Sequence, residues 1–321
     1  MQTTTVSELF SVFDQSVRLI REHRHISYLE ALCTAGEIIF KGTAQDEELG
    51  KKLEPFYTDF YREGMTAEEI RRAFQLAALK GMKAEPRPGR EMTPDSLVIL
   101  MGHVVALLAG SRPFSILDPA VGTANLLTGV MNQAETDHIA AYGAETDDLM
   151  LKLAFTNANL QQKEIHFFHQ DGLGPIYSGP VDFVVCDVPV GIYPDRQSAK
   201  SFELNGINGK AYTHFLFIEK GLRQLKESGY LFYLIPNQLF SEDKKHLFHR
   251  FIQKNAAILA LLQLPSSLFK NAAAAKSVIL LQKKGRGASV PKQTLLAEMP
   301  DFSDERKMRD FMIQMDQWFA R

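Results

Sequence analysis

Over residues 1–90 the apolar positions recur three and four apart. Val6, Leu9, Phe10, Phe13, Val17 and Ile20 form one such stripe, and Leu29, Leu32, Cys33, Gly36, Ile39 and Phe40 form another. That spacing predicts helices that each bury one face. Thr66 followed by Glu69 predicts a capping box at the start of a further helix, with Ile70, Phe74, Ala77 and Ala78 on its apolar side. The run Glu85-Pro86-Arg87-Pro88-Gly89-Arg90 then ends the pattern. We place a boundary there, giving an all-helical domain over 1–90 and a second domain over 91–321.

Beyond the boundary, short apolar runs alternate with stretches of helix length. The runs lie at 115–118, 138–145, 165–170, 181–187, 230–235, 257–263 and 277–282. Strands that are apolar nearly throughout are those buried on both faces, and their alternation with helices predicts a doubly wound, mostly parallel seven-stranded sheet of α/β class. A last amphipathic helix is expected from Asp304 to Phe319, with Met308, Phe311, Met312, Met315 and Phe319 on one side.

The chain is 45% hydrophobic and 23% charged with a formal net charge of -2, so no chain-wide basic footprint for coating nucleic acid exists. Local basic clusters remain at Arg18–His25 and Lys80–Arg90; the second is read as a solvated linker or a contact to phosphate. The two cysteines, Cys33 and Cys186, sit in separate apolar runs, which predicts buried free thiols in a reducing compartment rather than a disulfide framework. No apolar run approaches the ~20 residues of a membrane span, and the amino terminus lacks the features of a signal peptide. A cytoplasmic protein without membrane partners is expected.

The chemistry concentrates at the ends of the expected strands. Asp118 ends the first, and the turn Pro119-Ala120-Val121-Gly122-Thr123-Ala124-Asn125 leads into a helix. Its small residues do not follow GxGxxG, so a pyrophosphate-cradling dinucleotide site, and with it an oxidoreductase, is disfavoured. A carboxylate-bearing ligand whose amino group meets Asp118 fits better. The second strand ends at Glu145-Thr146-Asp147; Glu145 is suited to the two hydroxyls of a ribose and Asp147 to capping the next helix. The third leads to Asp171-Gly172-Leu173, where a carboxylate can accept from an exocyclic amino group.

The fourth strand runs into Asp187-Val188-Pro189-Val190. The order Thr93-Pro94, Asp118–Thr123, Gly143–Asp147, Gln170-Asp171-Gly172 and Asp187–Val190 resembles the N6-adenine DNA methylases, especially the methylase subunits of type I restriction-modification systems. The likeness continues through 231–240 and 261–269 to 277–284 and covers about residues 90–285. It implies a class I, Rossmann-like methyltransferase fold with S-adenosyl-L-methionine as cofactor. Thr93 and the turn Asp118, Pro119, Ala120, Gly122, Thr123 and Asn125 would hold its methionine part. Glu145 with Thr146 would hold its ribose, and Asp171, Gly172 and Leu173 its adenine. Asp187 and the Val188 carbonyl would accept hydrogen bonds from the target amino group, with Pro189 and Val190 completing the catalytic segment.

Two departures from the family matter. Family members carry a Pro-Pro-aromatic sequence after the acidic or amide residue, and the aromatic ring stacks on a base flipped out of the duplex. Here Val188 and Val190 stand at the first of those prolines and at the aromatic, with Tyr193 as a nearby aromatic that could substitute. No target-recognition domain is expected in the segment after Lys284; family enzymes carry one or borrow one from a partner subunit. The resemblance implies methylation of adenine in DNA. RNA or a protein amide as acceptor, and a cofactor-binding module without catalysis, stay open. The residues 195–210 read as a loop over the target site. No histidine has the partners of a metal site, and none is expected.

Overall fold

The structure, a computed structural model, describes residues 5–57, 60, 65–243, 246–269, 271–288 and 293–319. Helices α1 (Thr5–Arg24), α2 (Tyr28–Lys41), α3 (Glu47–Tyr57), α4 (Ala67–Ala84) and α5 (Asp95–Ala109) precede the first strand. Then come β1 (Phe114–Asp118), α6 (Asn125–Gln133), β2 (Ile139–Glu145), α7 (Asp148–Leu160), β3 (Ile165–His169) and β4 (Val181–Asp187). Next follow α8 (Arg196–Ala199), α9 (Thr213–Gln224), β5 (Leu225–Pro236), α10 (Leu239–Glu242) and α11 (Leu247–Asn255). The chain closes with β6 (Ala256–Gln263), β7 (Lys276–Lys283), β8 (Leu295–Glu298) and α12 (Glu305–Phe319). No helix among the described residues is long and apolar enough to cross a membrane.

The sheet has eight strands in the order β3-β2-β1-β4-β5-β7-β6-β8, one more than the seven expected. The addition is β8, whose four residues are alternately half-buried and exposed, too short to stand out as an apolar run. It pairs parallel to β6 and covers that strand's outer edge. β2 runs parallel to β1, β1 to β4 and β4 to β5, whereas β7 is antiparallel to both β5 and β6. The sheet is thus mostly parallel, as the near-continuous apolar runs require.

The chain divides into two compact units interleaved along the sequence. The first comprises residues 1–102, 121–133 and 145–170. Capping boxes start α2 and α4: Ser27 pairs reciprocally with Glu30, and Thr66 with Glu69 as expected. The Phe13 ring meets Phe60 and Phe74 edge-on at 5.5 and 5.7 Å. Met150, Leu153 and Leu160 of α7 belong to the same apolar core as α1, α2 and α4. Phe40 departs from expectation at 45% exposure, because the buried side of α2 is centred on Ala31, Ala35 and Ile38, and Phe40 lies about 100° beyond Ile39.

The second unit comprises residues 103–120, 134–144 and 171–321. Its centre is the fully buried stretch Leu231–Ile235 of β5 with Val184 and Val185 of β4 and Val278–Leu281 of β7. Phe311 and Met315 of α12 are buried, which is the packing role its pattern suggested. Both cysteines are free thiols. Burial pushes the Cys33 thiol up to about 12 and raises that of Cys186 as well, so both stay protonated at neutral pH.

Candidate active site

The order of the sheet turns around at β1: β2 and β3 lie to one side, β4 and β5 to the other. Open α/β sheets bind ligands beyond the carboxyl ends of their strands at such a switch point. Within the second unit, Asp118 is the last residue of β1 and Asp187 the last of β4, on neighbouring strands in register at Leu117 and Val184. Asp118 is 2% exposed and accepts from the Ala120 amide at 3.0 Å, which ties the small-residue turn to the strand end.

Asp171 follows β3 by two residues. Its Oδ1 accepts from the Leu173 amide at 2.8 Å and its Oδ2 from the Tyr193 hydroxyl at 2.6 Å. Between them, Gly172 is pressed onto the turn after β1: a Cβ at this position would lie 1.8 Å from the Pro119 carbonyl oxygen. Only glycine fits this approach. Burial, then the Asp171 carboxylate, raise the Tyr193 phenol and keep it a hydrogen-bond donor. Tyr193 is itself buried, so the idea that its ring replaces the missing stacking aromatic is not what the structure holds. Its hydroxyl serves Asp171 instead.

In the segment after β4, Asp187 is ion-paired with Lys276, the first residue of β7. Nothing local in the sequence signals this partner, which lies at the start of a strand far down the chain. Val188 is buried and donates its amide to the Leu234 carbonyl at 3.2 Å. Pro189 is exposed, and Val190 and Ile192 are both 57% exposed. The residues 195–210, expected as a loop, contain α8 and an antiparallel bridge between Ile207 and Lys210. They are packed rather than loose: Phe202, Leu204 and Ile207 are buried, and the Glu203 and Leu204 amides donate to buried Glu219 at 2.9 and 2.8 Å.

In the first unit, Glu145 ends β2 and organises the turn that precedes α6. Its carboxylate accepts from the Gly122 amide at 3.0 Å, the Thr146 amide at 2.8 Å and the Asp147 amide at 2.9 Å. Gly122 has φ +55° and Ala124 φ +59°. The second is a strained conformation for a residue with a Cβ. Asp147 caps α7 as expected, accepting from the Leu149 and Met150 amides. It also forms a bidentate pair with Arg90, the shortest contact 2.7 Å. Burial opposes ionisation of Asp147, yet the Arg90 pair and the helix amides prevail and hold it below its ordinary value. Arg90 is therefore engaged inside the fold and Lys80, itself exposed, pairs with Asp14, while residues 86–89 between them are exposed as a solvated linker would be.

Thr93, Thr123 and Asn125 are all buried in this unit, and the Asn125 side-chain amide donates to the Thr93 carbonyl at 3.4 Å. The Asn125 carbonyl oxygen accepts from Arg71 at 2.7 Å. Arg71 is fully buried, a residue that helix periodicity had no means to single out.

The donor set suits S-adenosylmethionine. In the second unit Asp118 ends β1 and Asp171 lies two residues after β3, and in the first unit Glu145 ends β2, carboxylates of the kind that an amino group, an adenine amine and a ribose require.

Comparison with known proteins agrees. Residues 7–82 match the YtxK N-terminal helical domain, and residues 79–315 match the N-6 DNA Methylase family. The uncharacterized protein YtxK of Bacillus subtilis (strain 168) is 41% identical over 327 residues, covering 100% of this chain and 99% of that protein. A Listeria monocytogenes protein assigned as a class I S-adenosylmethionine-dependent methyltransferase superposes with a TM-score of 0.88 at 38% identity, covering 98% of this chain and 99% of its own. The type II methyltransferase M.AccI of Acinetobacter calcoaceticus is 22% identical over 54% of this chain and 33% of its own length. A Vibrio vulnificus protein assigned as a type I restriction enzyme modification subunit shares the fold, with a TM-score of 0.65 at 18% identity over 85% of this chain and 61% of its own. This chain belongs to the N-6 DNA methylase family and is a class I methyltransferase whose expected cofactor is S-adenosyl-L-methionine.

Proposed function

We propose that the protein transfers a methyl group to the exocyclic N6 amino group of adenine in DNA, with Asp187 as the residue that receives the target. The observation that carries this reading is the place of Asp187, at the carboxyl end of β4 beside Asp118 at the switch point of the sheet. Thr93, the turn Asp118–Thr123 and Asn125 are proposed to hold the methionine part of the cofactor, Glu145 and Thr146 its ribose, and Asp171–Leu173 its adenine.

Bound S-adenosylmethionine supplies a methyl group on a positively charged sulfur. The protein's own part is electrostatic and positional. The Asp187 carboxylate and the Val188 carbonyl accept N–H bonds from the target amino group, and Pro189 favours the extended backbone that aims that carbonyl. Positive charge grows on the nitrogen as it takes up the methyl group, and both acceptors are stronger partners for that charge than for the neutral amine. Asp187 is also the group able to receive the released proton. Lys276 fixes the carboxylate at the end of β4.

A second reading draws on Val190, 57% exposed where relatives stack an aromatic ring, and on Tyr193, committed to Asp171. Loss of stacking forgoes about 1–3 kcal/mol per base. That favours an acceptor that is not a base drawn from a duplex, such as an RNA nucleotide or a protein amide, delivered by a specificity partner. Incubation with tritiated cofactor and genomic DNA, total RNA or protein lysate separates the readings. Label recovered as N6-methyladenine after DNA digestion supports the first, label in RNA or protein supports the second, and label in none rejects catalysis on all three.

A further inference from the structure

We infer that helix α4 is part of the cofactor site, and that its buried Arg71 is a positioning residue for S-adenosylmethionine binding. The inference rests on the cofactor reading above. It goes further by assigning a role in the site to a helix that precedes every strand.

Two polar chains run from one turn of α4 to the two sides of residue 124. In the first, Arg71 donates to the Asn125 side-chain oxygen at 2.7 Å, and it is ion-paired with both Glu68 and Asp95. Asp95 is the first residue of α5, two positions after Thr93. In the second, Glu68 accepts from Asn132 at 3.2 Å, Asn132 donates to Gln161 at 2.9 Å, and Gln161 donates to the Asn157 side-chain oxygen at 2.7 Å. The Asn157 side-chain amide then donates to the Thr123 carbonyl at 3.0 Å. Thr123 and Asn125 are thereby gripped from opposite ends of one network, and both are buried.

What lies between them is Ala124, fully buried with φ +59°. A residue with a Cβ persists in that region only where its surroundings over-determine it, and such strain collects at ligand sites. A wholly desolvated guanidinium is costly unless it is itself paired and hydrogen-bonded. Arg71 meets that condition. Burial opposes its charge, but Glu68 and Asp95 outweigh it and the cation is held. Arginine's planar fork can reach Glu68, Asp95 and Asn125 together, and a lysine ammonium cannot keep that geometry.

The test uses the full chain and isothermal titration with S-adenosylmethionine. Arg71→Lys and Arg71→Gln are expected to weaken binding about tenfold, the scale of losing a hydrogen bond to a charged group. Leu9→Ala, a core truncation in α1 outside the network, is expected to lower the melting temperature and leave the dissociation constant within about twofold, by the independence of distant sites. Asn125→Ala is expected to weaken binding alone but to add little to Arg71→Lys, since each removes the same link. Should the Arg71 variants fail to fold, Asn157→Ala, at the far end of the second chain, is expected to give the same loss. Unchanged affinity in the folded network variants overturns the inference while wild-type binding keeps the cofactor reading. A wild type that does not bind overturns both.

Discussion

Lys276 Nζ bonds the Asp187 carboxylate, joining the first residue of β7 to the last residue of β4. The acid proposed to receive the target is thus paired before any target arrives, and one of its oxygens is already used. Asp187→Ala is expected to lower methyl transfer by about a hundredfold or more, the effect of deleting a preorganised acceptor. Cofactor affinity should stay within about twofold, since Asp187 is assigned to the target. Parallel rate and binding measurements check the split. Full activity in Asp187→Ala removes the residue from the mechanism.

Gly172 admits no side chain, with the Pro119 carbonyl where a Cβ would stand. Gly172→Ala forces the loop after β3 away from the turn after β1, and we expect a loss of about 3 kcal/mol in stability, the upper range for overpacking. Chemical denaturation measures it. A stability within about 0.5 kcal/mol of wild type contradicts the close seating.

The pH dependence of stability is set in part by His214, which is 1% exposed and whose Nε2 lies 2.9 Å from Glu242. Burial lowers the His214 value to about 4. Its folded value lies below its unfolded one, so its contribution is complete above pH 6.5 and is lost as pH falls toward 4. The full loss is about 3 kcal/mol. Burial raises Glu242, which contributes with the opposite sign as pH falls. Melting temperatures between pH 4 and 7.5 are expected to fall more steeply in wild type than in His214→Gln. Parallel curves exclude His214 as the source.

Much of this architecture was legible in the chain itself. Strands β1, β4, β5 and β7 were readable because they are buried on both faces and so nearly free of polar interruption, whereas β3, half-buried to exposed, was readable only as a short aromatic run, and Asp147 was readable as a cap because an acid stood directly before a helix. The acids at 118, 145 and 171 were found by the same logic of strand ends. Arg71 was not. A charged residue within helical periodicity reads as solvent-facing, and only the convergence of Glu68, Asp95 and Asn125 keeps it fully buried. Lys276 was hidden for a similar reason, being a strand's first residue whose partner lies on another strand. Tyr193 was readable as an aromatic near the target segment, but its turn inward to Asp171 depends on the packed segment that follows.

Glu145 holds three backbone amides of the turns around it and is assigned to the cofactor's ribose. Glu145→Ala should weaken S-adenosylmethionine binding by about 1–3 kcal/mol, the scale of losing charge-assisted hydrogen bonds. The most direct measurement is therefore a calorimetric titration of S-adenosylmethionine into wild type, Glu145→Ala and Asp187→Ala side by side. Saturable binding in wild type and Asp187→Ala with marked weakening in Glu145→Ala is the expected result. Absence of binding to the wild-type protein, or equal affinity in Glu145→Ala, contradicts it.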